Sequence, residues 1–243
     1  MRIIYGINPV VEALKSHPEG FKDLLISGGG NGVERIKELA REKGVKPRVV
    51  GKETLERISK TTHHKGVVGI LKGFQYADIE DILRCWGTTG EKALILILDC
   101  IQDPQNLGSL IRTAHSAGCH GVIIPRDRSC EVTPTVVKAS AGATEHTLIA
   151  RVANIATTIE RLKNEGIWVA GVEADAPQSI YRARLDRDLA IVIGSEGKGI
   201  RRLVKEGCDL LVSIPMKGKV SSLNAAMAGA IALFEVVRMR ITT

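Results

Sequence analysis

The chain has 243 residues, 44 % of them apolar and 3 % aromatic, which is enough for one large or two ordinary domains with aliphatic cores. No signal peptide opens the sequence, and its longest clean apolar run, residues 93–98, is far short of the ~20 residues of a membrane span, so we expect a cytoplasmic protein without membrane segments. The net charge of +7 is uneven: residues 1–75 hold 14 Lys and Arg against 8 Asp and Glu, which favours a polyanionic partner for the front of the chain.

Helix and strand patterns alternate along the first 73 residues. In the stretch INPVVEALKS, Asn8 is the predicted N-cap and Pro9 the predicted first helical residue. Two further helices and three strands follow: the helices GVERIKELAREKG and KETLERISK, and the strands KDLLIS, KPRVVG and KGVVGILKG. Residues 1–73 are therefore predicted to form a small α/β domain, and the weakly patterned residues 74–92 are predicted to be a linker.

A second alternating pattern fills residues 93–243. It opens with ALILILD, a continuous apolar run typical of a strand covered on both faces. Five more strands are predicted: GVIIP, HTLIA, GIWVAGV, LAIVIG and DLLVSIP. The predicted helices cover about 106–117, 133–140, 153–165, 199–206 and 222–239. Such alternation predicts an α/β domain with a mainly parallel sheet, in which ligands bind beyond the carboxyl ends of the strands.

One strand runs straight into a glycine loop, AIVIGSEGKGI, that fits neither common nucleotide motif. Lys198 is followed by Gly199 instead of Ser or Thr, which excludes a Walker loop, and Arg202 stands where the last glycine of a dinucleotide fingerprint belongs. Glu196 at the centre of the loop would repel a phosphate. The loop suits a cation or a hydrogen-bond donor instead, such as a sulfonium or an arginine.

Polar residues follow two other strands in the same way. In LDCIQDPQNLGSLIRTAHSAG, Asn106 is a candidate helix cap, and Arg112 lies where its guanidinium can fork onto a phosphate or a carboxylate. In VSIPMKGKVSSLNAAMAGAIALFE, Ser222 and Asn224 open a helix rich in small residues, which favours close packing against the sheet or another subunit. Each feature alone is commonplace, but three such loops in one domain indicate a shared site.

The stretches DPQNLGSLIRTAHSAG, IVIGSEGKGI and SIPMKGKVSSLNAAMAGAIALFE resemble the three signature motifs of the SpoU, or TrmH-like, branch of the SPOUT RNA 2′-O-ribose methyltransferases. The stretches YGINPVVEAL and HHKGVVG resemble that family's small RNA-binding front domain, which is similar to ribosomal protein L30e. Within the family, the chain is most similar to enzymes that methylate a guanosine in bacterial 23S ribosomal RNA.

The resemblance implies a C-terminal domain with a trefoil knot, a homodimer, and S-adenosylmethionine as the methyl donor, bound largely by main-chain groups. Carried over to this sequence, the cofactor-binding positions are Gly194, Ile214, Met216 and Leu223. The polar active-site positions are Asn106, Arg112, Glu196, Ser222 and Asn224. The resemblance further implies that 23S ribosomal RNA binds through the basic front domain.

The sequence leaves open the role of Arg112 and the choice of RNA substrate. Arg112 is either the general base or a clamp on the RNA phosphate, and the clamp is favoured because arginine stays protonated far above neutral pH. Transfer RNA as the substrate, or a non-catalytic RNA-binding assembly factor with the same fold, are the alternative functions. The roles of His63, His64, Trp86 and Trp168 are not assigned. Five scattered cysteines predict reduced, buried thiols and no disulfide or metal site.

Overall fold

The computed structural model describes residues 2–219 and 222–242. Its strands are β1 (Arg2–Tyr5), β2 (Phe21–Ile26), β3 (Pro47–Val49), β4 (Val67–Leu71), β5 (Leu94–Asp99), β6 (Gly121–Pro125), β7 (Ile149–Val152), β8 (Trp168–Val172), β9 (Gln178–Ser179), β10 (Leu189–Gly194) and β11 (Leu210–Ser213). Its α-helices are α1 (Ile7–Ser16), α2 (Asn31–Glu42), α3 (Lys52–Ser59), α4 (Ile79–Thr89), α5 (Pro104–Ser116), α6 (Pro134–Ala139), α7 (Ile155–Asn164), α8 (Arg202–Gly207) and α9 (Ala225–Thr242).

The chain divides into two compact units. The front unit contains the chain up to Gln75 together with the later segment Glu131–His146. The rear unit contains Tyr76–Cys130 and the chain from Thr147 onwards. The domain boundaries at residues 73 and 92 stay a prediction.

The front unit is built on a four-stranded sheet with the strand order β1-β4-β2-β3. Strand β4 pairs antiparallel with β1 and β2, and β2 pairs parallel with β3. The later segment is joined to this unit by a buried ion pair, in which the Arg2 guanidinium lies 2.8 Å from the Glu145 carboxylate. Both side chains are shielded from water, so the loss of either would leave an uncompensated buried charge.

The rear unit is built on a seven-stranded sheet with the order β7-β6-β5-β10-β8-β11-β9. Every strand pairing described in this sheet is parallel. Strand β5 is buried along its whole length, as its continuous apolar run predicts. The predicted α/β class with a mainly parallel sheet is therefore confirmed.

The structure corrects two predicted helix caps and shows a helix within the predicted linker. Helix α1 begins at Ile7 after Gly6, so Asn8 lies inside the helix and is not its cap. Asn106 is likewise inside α5, whose cap is Asp103. The predicted linker contains helix α4, which a reciprocal capping box of Asp78 and Asp81 begins. No helix in the described part of the chain has the length and apolar character needed to cross a membrane.

Candidate active site

The carboxyl ends of the central rear-unit strands bring the three predicted loops to one edge of the sheet. Strands β5 and β10 are paired in register so that Asp99 lies beside Gly194, the last residue of each strand. Strand β8 pairs with β10 on one side and with β11 on the other, and Ile214 directly follows β11. Because all these strands are parallel, the loops that follow them emerge on the same side.

A cluster of three polar side chains forms at this edge, which we call the amide–carboxylate cluster: Asn106, Glu196 and Asn224. Glu196 Oε1 accepts hydrogen bonds of 2.7 Å from Asn106 Nδ2 and of 2.7 Å from Asn224 Nδ2. Asn224 Nδ2 also donates to Asn106 Oδ1 at 2.9 Å. Among the described residues, nothing donates to Glu196 Oε2, so this carboxylate keeps an acceptor for a ligand.

Two different helix starts orient the amides of this cluster. Asn224 caps α9, because its Oδ1 accepts from the Ala226 amide at 2.8 Å, and this contact turns its Nδ2 towards Glu196. In α5, Asp103 accepts from the Gln105 amide at 2.9 Å and fills the cap position. The side chain of Asn106 is therefore released from capping and is free to bridge Glu196 and Asn224.

The loop that carries Glu196 is tightly closed. Ser195 and Gly199 exchange main-chain hydrogen bonds of 3.1 and 2.9 Å. A β-carbon on Gly194 would lie 2.2 Å from the carbonyl carbon of Gly199 and 2.4 Å from the amide nitrogen of Ile200. These are main-chain atoms, so they cannot rotate aside as a flexible side chain would. Only glycine fits at position 194.

Two carboxylates that the motif reading did not identify hold this loop in place. Asp99, fully buried at the end of β5, accepts from the Arg201 amide and from Arg201 Nε, both at 2.8 Å. Glu173, directly after β8, accepts from the Ile200 amide at 2.7 Å and lies 3.0 Å from Lys205 Nζ. The sequence does contain a signal for both residues: Asp99 ends one apolar strand and Glu173 directly follows another.

Two predicted polar residues do not join the cluster within a single chain. Arg112 is exposed on α5, six positions after Asn106, so the two side chains point about 120° apart around the helix. Within residues 2–219 and 222–242, no hydrogen bond or ion pair is found for Arg112 or for the Ser222 side chain. The geometry unites Asn106, Glu196 and Asn224 and leaves Arg112 and Ser222 available to other groups.

The predicted cofactor positions surround the same edge. Ile214 is half-buried, while Met216 and Leu223 are apolar but each 37 % exposed. In the described part of the chain, the main-chain groups of residues 216–219 make no hydrogen bonds. Free main-chain donors and acceptors beside exposed apolar side chains suit a ligand with both polar and apolar parts.

A cavity of about 410 Å³ opens beside the amide–carboxylate cluster. Its lining includes Asn106, Glu196, Cys100 and the basic residues Arg128, Lys198 and Arg201. Burial raises the pKa of the Cys100 thiol and the neighbouring Asp99 carboxylate raises it further, so this thiol stays protonated near neutral pH and is not a nucleophile. All five cysteines are free, as predicted, but they are half-buried instead of fully buried.

Three of the residues without an assigned role, His64, Trp86 and Trp168, contact other groups of the protein. His64 is buried, and its Nδ1 accepts from the Gly66 amide at 3.0 Å, whereas His63 is exposed. Burial lowers the pKa of His64, which keeps it neutral. Trp86 donates to the Glu91 carbonyl at 3.0 Å, and the Arg187 guanidinium lies 4.2 Å from the Trp168 ring centroid.

Two family models match the chain. One, described as the SpoU rRNA Methylase family, matches residues 93–234, and the other, described as RNA 2′-O ribose methyltransferase substrate binding, matches residues 3–77. A TrmH family tRNA/rRNA methyltransferase of Bacillus subtilis strain 168, YacO, is 42 % identical over 238 residues, which is 98 % of this chain and 95 % of that protein. A protein of the same description from Staphylococcus aureus strain MSSA476 is 41 % identical over 98 % of this chain and 96 % of its own length.

The fold is also similar to that of solved structures. The SpoU methyltransferase AviRb from Streptomyces viridochromogenes superposes with a TM-score of 0.84 at 25 % identity, covering 99 % of this chain and 90 % of that one. A second structure of AviRb, in complex with the cofactor AdoMet, matches with the same TM-score at 24 % identity, covering 99 % and 91 %. These matches agree with the resemblance found in the three loops.

Proposed function

Because the chain belongs to the SpoU family of S-adenosylmethionine-dependent RNA methyltransferases, we propose that it methylates the ribose 2′-hydroxyl of a guanosine in 23S ribosomal RNA. The observation that carries this proposal is the amide–carboxylate cluster, in which residues 106, 196 and 224 converge from three separate loops. A protein that only binds RNA has no need for two amides that hold one carboxylate in a fixed orientation. We place the activity in the cytoplasm, where bacterial ribosomal RNA is made and modified.

We place S-adenosylmethionine between the loops at 194 and 216. Main-chain groups of residues 216–219, which make no hydrogen bonds within the described part of the chain, would hold the polar parts of the cofactor, and the exposed side chains of Met216 and Leu223 would offer it apolar surface. When bound, the cofactor supplies a methyl group on a cationic sulfur. The close main-chain crossing at Gly194 would hold one wall of this site in a fixed position.

The residues of the cluster act on the methyl acceptor. An in-line displacement requires the ribose oxygen, the methyl carbon and the sulfur to be aligned, so the acceptor must be held rigidly. Glu196, fixed through Oε1 by two amides, presents Oε2 as a directed acceptor to a hydroxyl or guanidinium donor. Asn224 and Ser222 orient the ribose, and Arg112 clamps an adjacent RNA phosphate.

Glu196→Gln is expected to lower kcat/KM on the order of 100-fold, because the amide keeps the shape of the side chain but loses its charge and one acceptor. The measurement is methyl transfer from labelled S-adenosylmethionine to ribosomal RNA, together with the affinity for the cofactor. Glu206→Gln is the control, since Glu206 is an exposed carboxylate of α8 paired with Arg202. If Glu196→Gln left both turnover and cofactor affinity unchanged, the assigned role would be wrong.

The predicted homodimer has a candidate interface on α9. Met227, Phe234 and Ile241 recur every seven residues along this helix and are 60 %, 47 % and 80 % exposed. A stripe of apolar side chains at this spacing lies along one side of a helix and is typical of helix–helix contact. We propose that a second copy of the chain covers it.

Phe234→Asp is expected to convert a dimer into a monomer, because a carboxylate cannot be buried in an apolar interface without a partner. Sedimentation analysis measures the mass directly. Val49→Asp is the matched control, since Val49 is 72 % exposed on the edge strand β3 of the front unit. A wild-type protein that sediments as a monomer at micromolar concentration would contradict the proposed dimer.

The choice between ribosomal and transfer RNA rests on the front of the chain. Residues 3–77 match a substrate-binding model of RNA 2′-O ribose methyltransferases, and residues 1–75 carry most of the net positive charge. The alternative substrate remains transfer RNA, because the B. subtilis relative is named for both. Parallel assays with 23S ribosomal RNA and bulk transfer RNA separate the two: methylation of transfer RNA alone would refute the ribosomal assignment.

A further inference from the structure

The cavity beside the amide–carboxylate cluster is lined by two basic side chains that form no ion pair with any described residue. Of its three basic lining residues, Arg201 is already engaged by Asp99, at 2.7 Å between Nη2 and Oδ1. Arg128 and Lys198 have no ion pair anywhere in residues 2–219 and 222–242. The acidic lining residues are Glu196, held by two amides, and Asp103, which caps α5. The cavity therefore has two basic lining side chains, Arg128 and Lys198, that no ion pair holds in place.

The loop that carries Arg128 is built to hold this residue in an unfavourable conformation. Its φ is 59°, in the left-handed region where glycine is preferred to any residue with a β-carbon. The loop is fastened on both sides of Arg128: the Arg126 amide donates to the Val152 carbonyl at 2.7 Å, and the Cys130 amide donates to the Ile101 carbonyl at 2.9 Å. Ser129 Oγ also donates to the Ile101 carbonyl, at 3.1 Å. An arginine where glycine would be less strained indicates that the side chain has a role.

We propose that Arg128 binds an RNA phosphodiester on its own side of this cavity, out of contact with the Glu196 carboxylate, and so positions the ribose whose hydroxyl is methylated. A guanidinium in the wall of a cavity matches a phosphate oxygen pair. Each ribose lies between two phosphates, so Arg128 and Arg112 hold one each, and Lys198 adds a second charge beside Arg128. This inference rests on the proposed function, because it takes the cavity to be the acceptor side of the methyl-transfer site.

Substitution by glycine tests the proposal, because Arg128→Gly removes the side chain and relieves the backbone strain together. We expect an unchanged or higher melting temperature and unchanged affinity for S-adenosylmethionine. With 23S ribosomal RNA as the probe, we expect kcat/KM to fall at least about 10-fold. The slope of log Kd for RNA against log salt should fall in magnitude by about 0.7 to 0.9, the value of one lost phosphate contact. Arg128→Lys should retain the salt slope while losing part of the rate.

Arg184→Ala is the control, because it removes an exposed positive charge of the rear unit that does not line the cavity. The proposal is overturned if Arg128→Gly leaves the RNA salt slope unchanged, or if its main effect is a loss of cofactor affinity. Failure of the proposed function has a different signature: the wild-type protein would transfer no methyl group to any RNA. In that case the salt slope of RNA binding still decides whether Arg128 contacts a phosphate.

Discussion

Gly194→Ala is expected to abolish cofactor binding and to destabilise the rear unit. The added β-carbon would lie 2.2 to 2.4 Å from main-chain atoms of Gly199 and Ile200, so the loop that carries Glu196 must move. Overpacking of this kind costs about 1–3 kcal/mol in stability, and a shift of about 1 Å at a reacting group costs on the order of 100-fold in rate. Calorimetric titration with S-adenosylmethionine and a thermal melt measure the two effects.

The control for this substitution is Gly87→Ala. Gly87 lies in helix α4, is exposed, and has no atom within 4 Å of the position of an added β-carbon. Alanine is the better helix former by about 1 kcal/mol, so the control should be neutral or slightly stabilising. A Gly194→Ala protein that binds the cofactor as tightly as the wild type would refute the close main-chain crossing described for this loop.

Arg112→Ala is expected to lower turnover about 100- to 1,000-fold while leaving cofactor affinity intact. Within one chain Arg112 is exposed and points away from Asn106, and we propose that in the dimer it serves the site of the partner subunit. Methyl transfer under saturating cofactor gives the loss of rate, and titration of the cofactor gives the affinity.

Mixed dimers test this arrangement. In a heterodimer of Arg112→Ala with Glu196→Gln, one of the two sites combines an intact Glu196 with an intact Arg112 from the other chain. An equal mixture of the two inactive proteins should therefore regain about a quarter of wild-type activity, since half the dimers are mixed and each has one working site. No recovery after verified subunit exchange would mean that Arg112 serves its own chain.

The pH profile of Arg112→Ala separates the two roles proposed for this residue. Arginine stays protonated throughout the accessible pH range, so it can hold a phosphate at every pH in that range. If the clamp role holds, the variant should lose a similar factor in rate at every pH, because hydroxide cannot replace a phosphate contact. Recovery of activity at high pH would favour Arg112 as the base itself, since hydroxide then removes the hydroxyl proton in its place.

The larger elements could be predicted because each has a local pattern. Strand β6 occupies the residues predicted for it, and the unbroken apolar run of β5 indicated a strand buried on both faces. Short or locally capped elements were harder to recognise. Strand β9 has only two residues, and α4 begins with a capping box inside a segment that had been assigned to a linker.

The candidate site was predicted in part, and its gaps have physical causes. Asn106, Glu196 and Asn224 were grouped because parallel strands bring their carboxyl ends together. Asn106 was predicted to be a helix cap, but aspartate at the cap and proline at the first helical position begin α5 three residues earlier, at Asp103 and Pro104. The contact of Asp99 with Arg201 spans 102 positions of sequence, so no local pattern could indicate it.

The central claim is that methyl transfer to a ribose oxygen takes place at the amide–carboxylate cluster. It is tested most directly by incubating the wild-type protein with labelled S-adenosylmethionine and unmodified 23S ribosomal RNA, and then identifying the labelled nucleosides by mass spectrometry. We predict label in one 2′-O-methylguanosine, at a site resistant to alkaline cleavage, with strongly reduced labelling by Glu196→Gln. Label on a base instead of a ribose, or equal labelling by the variant, would contradict the account.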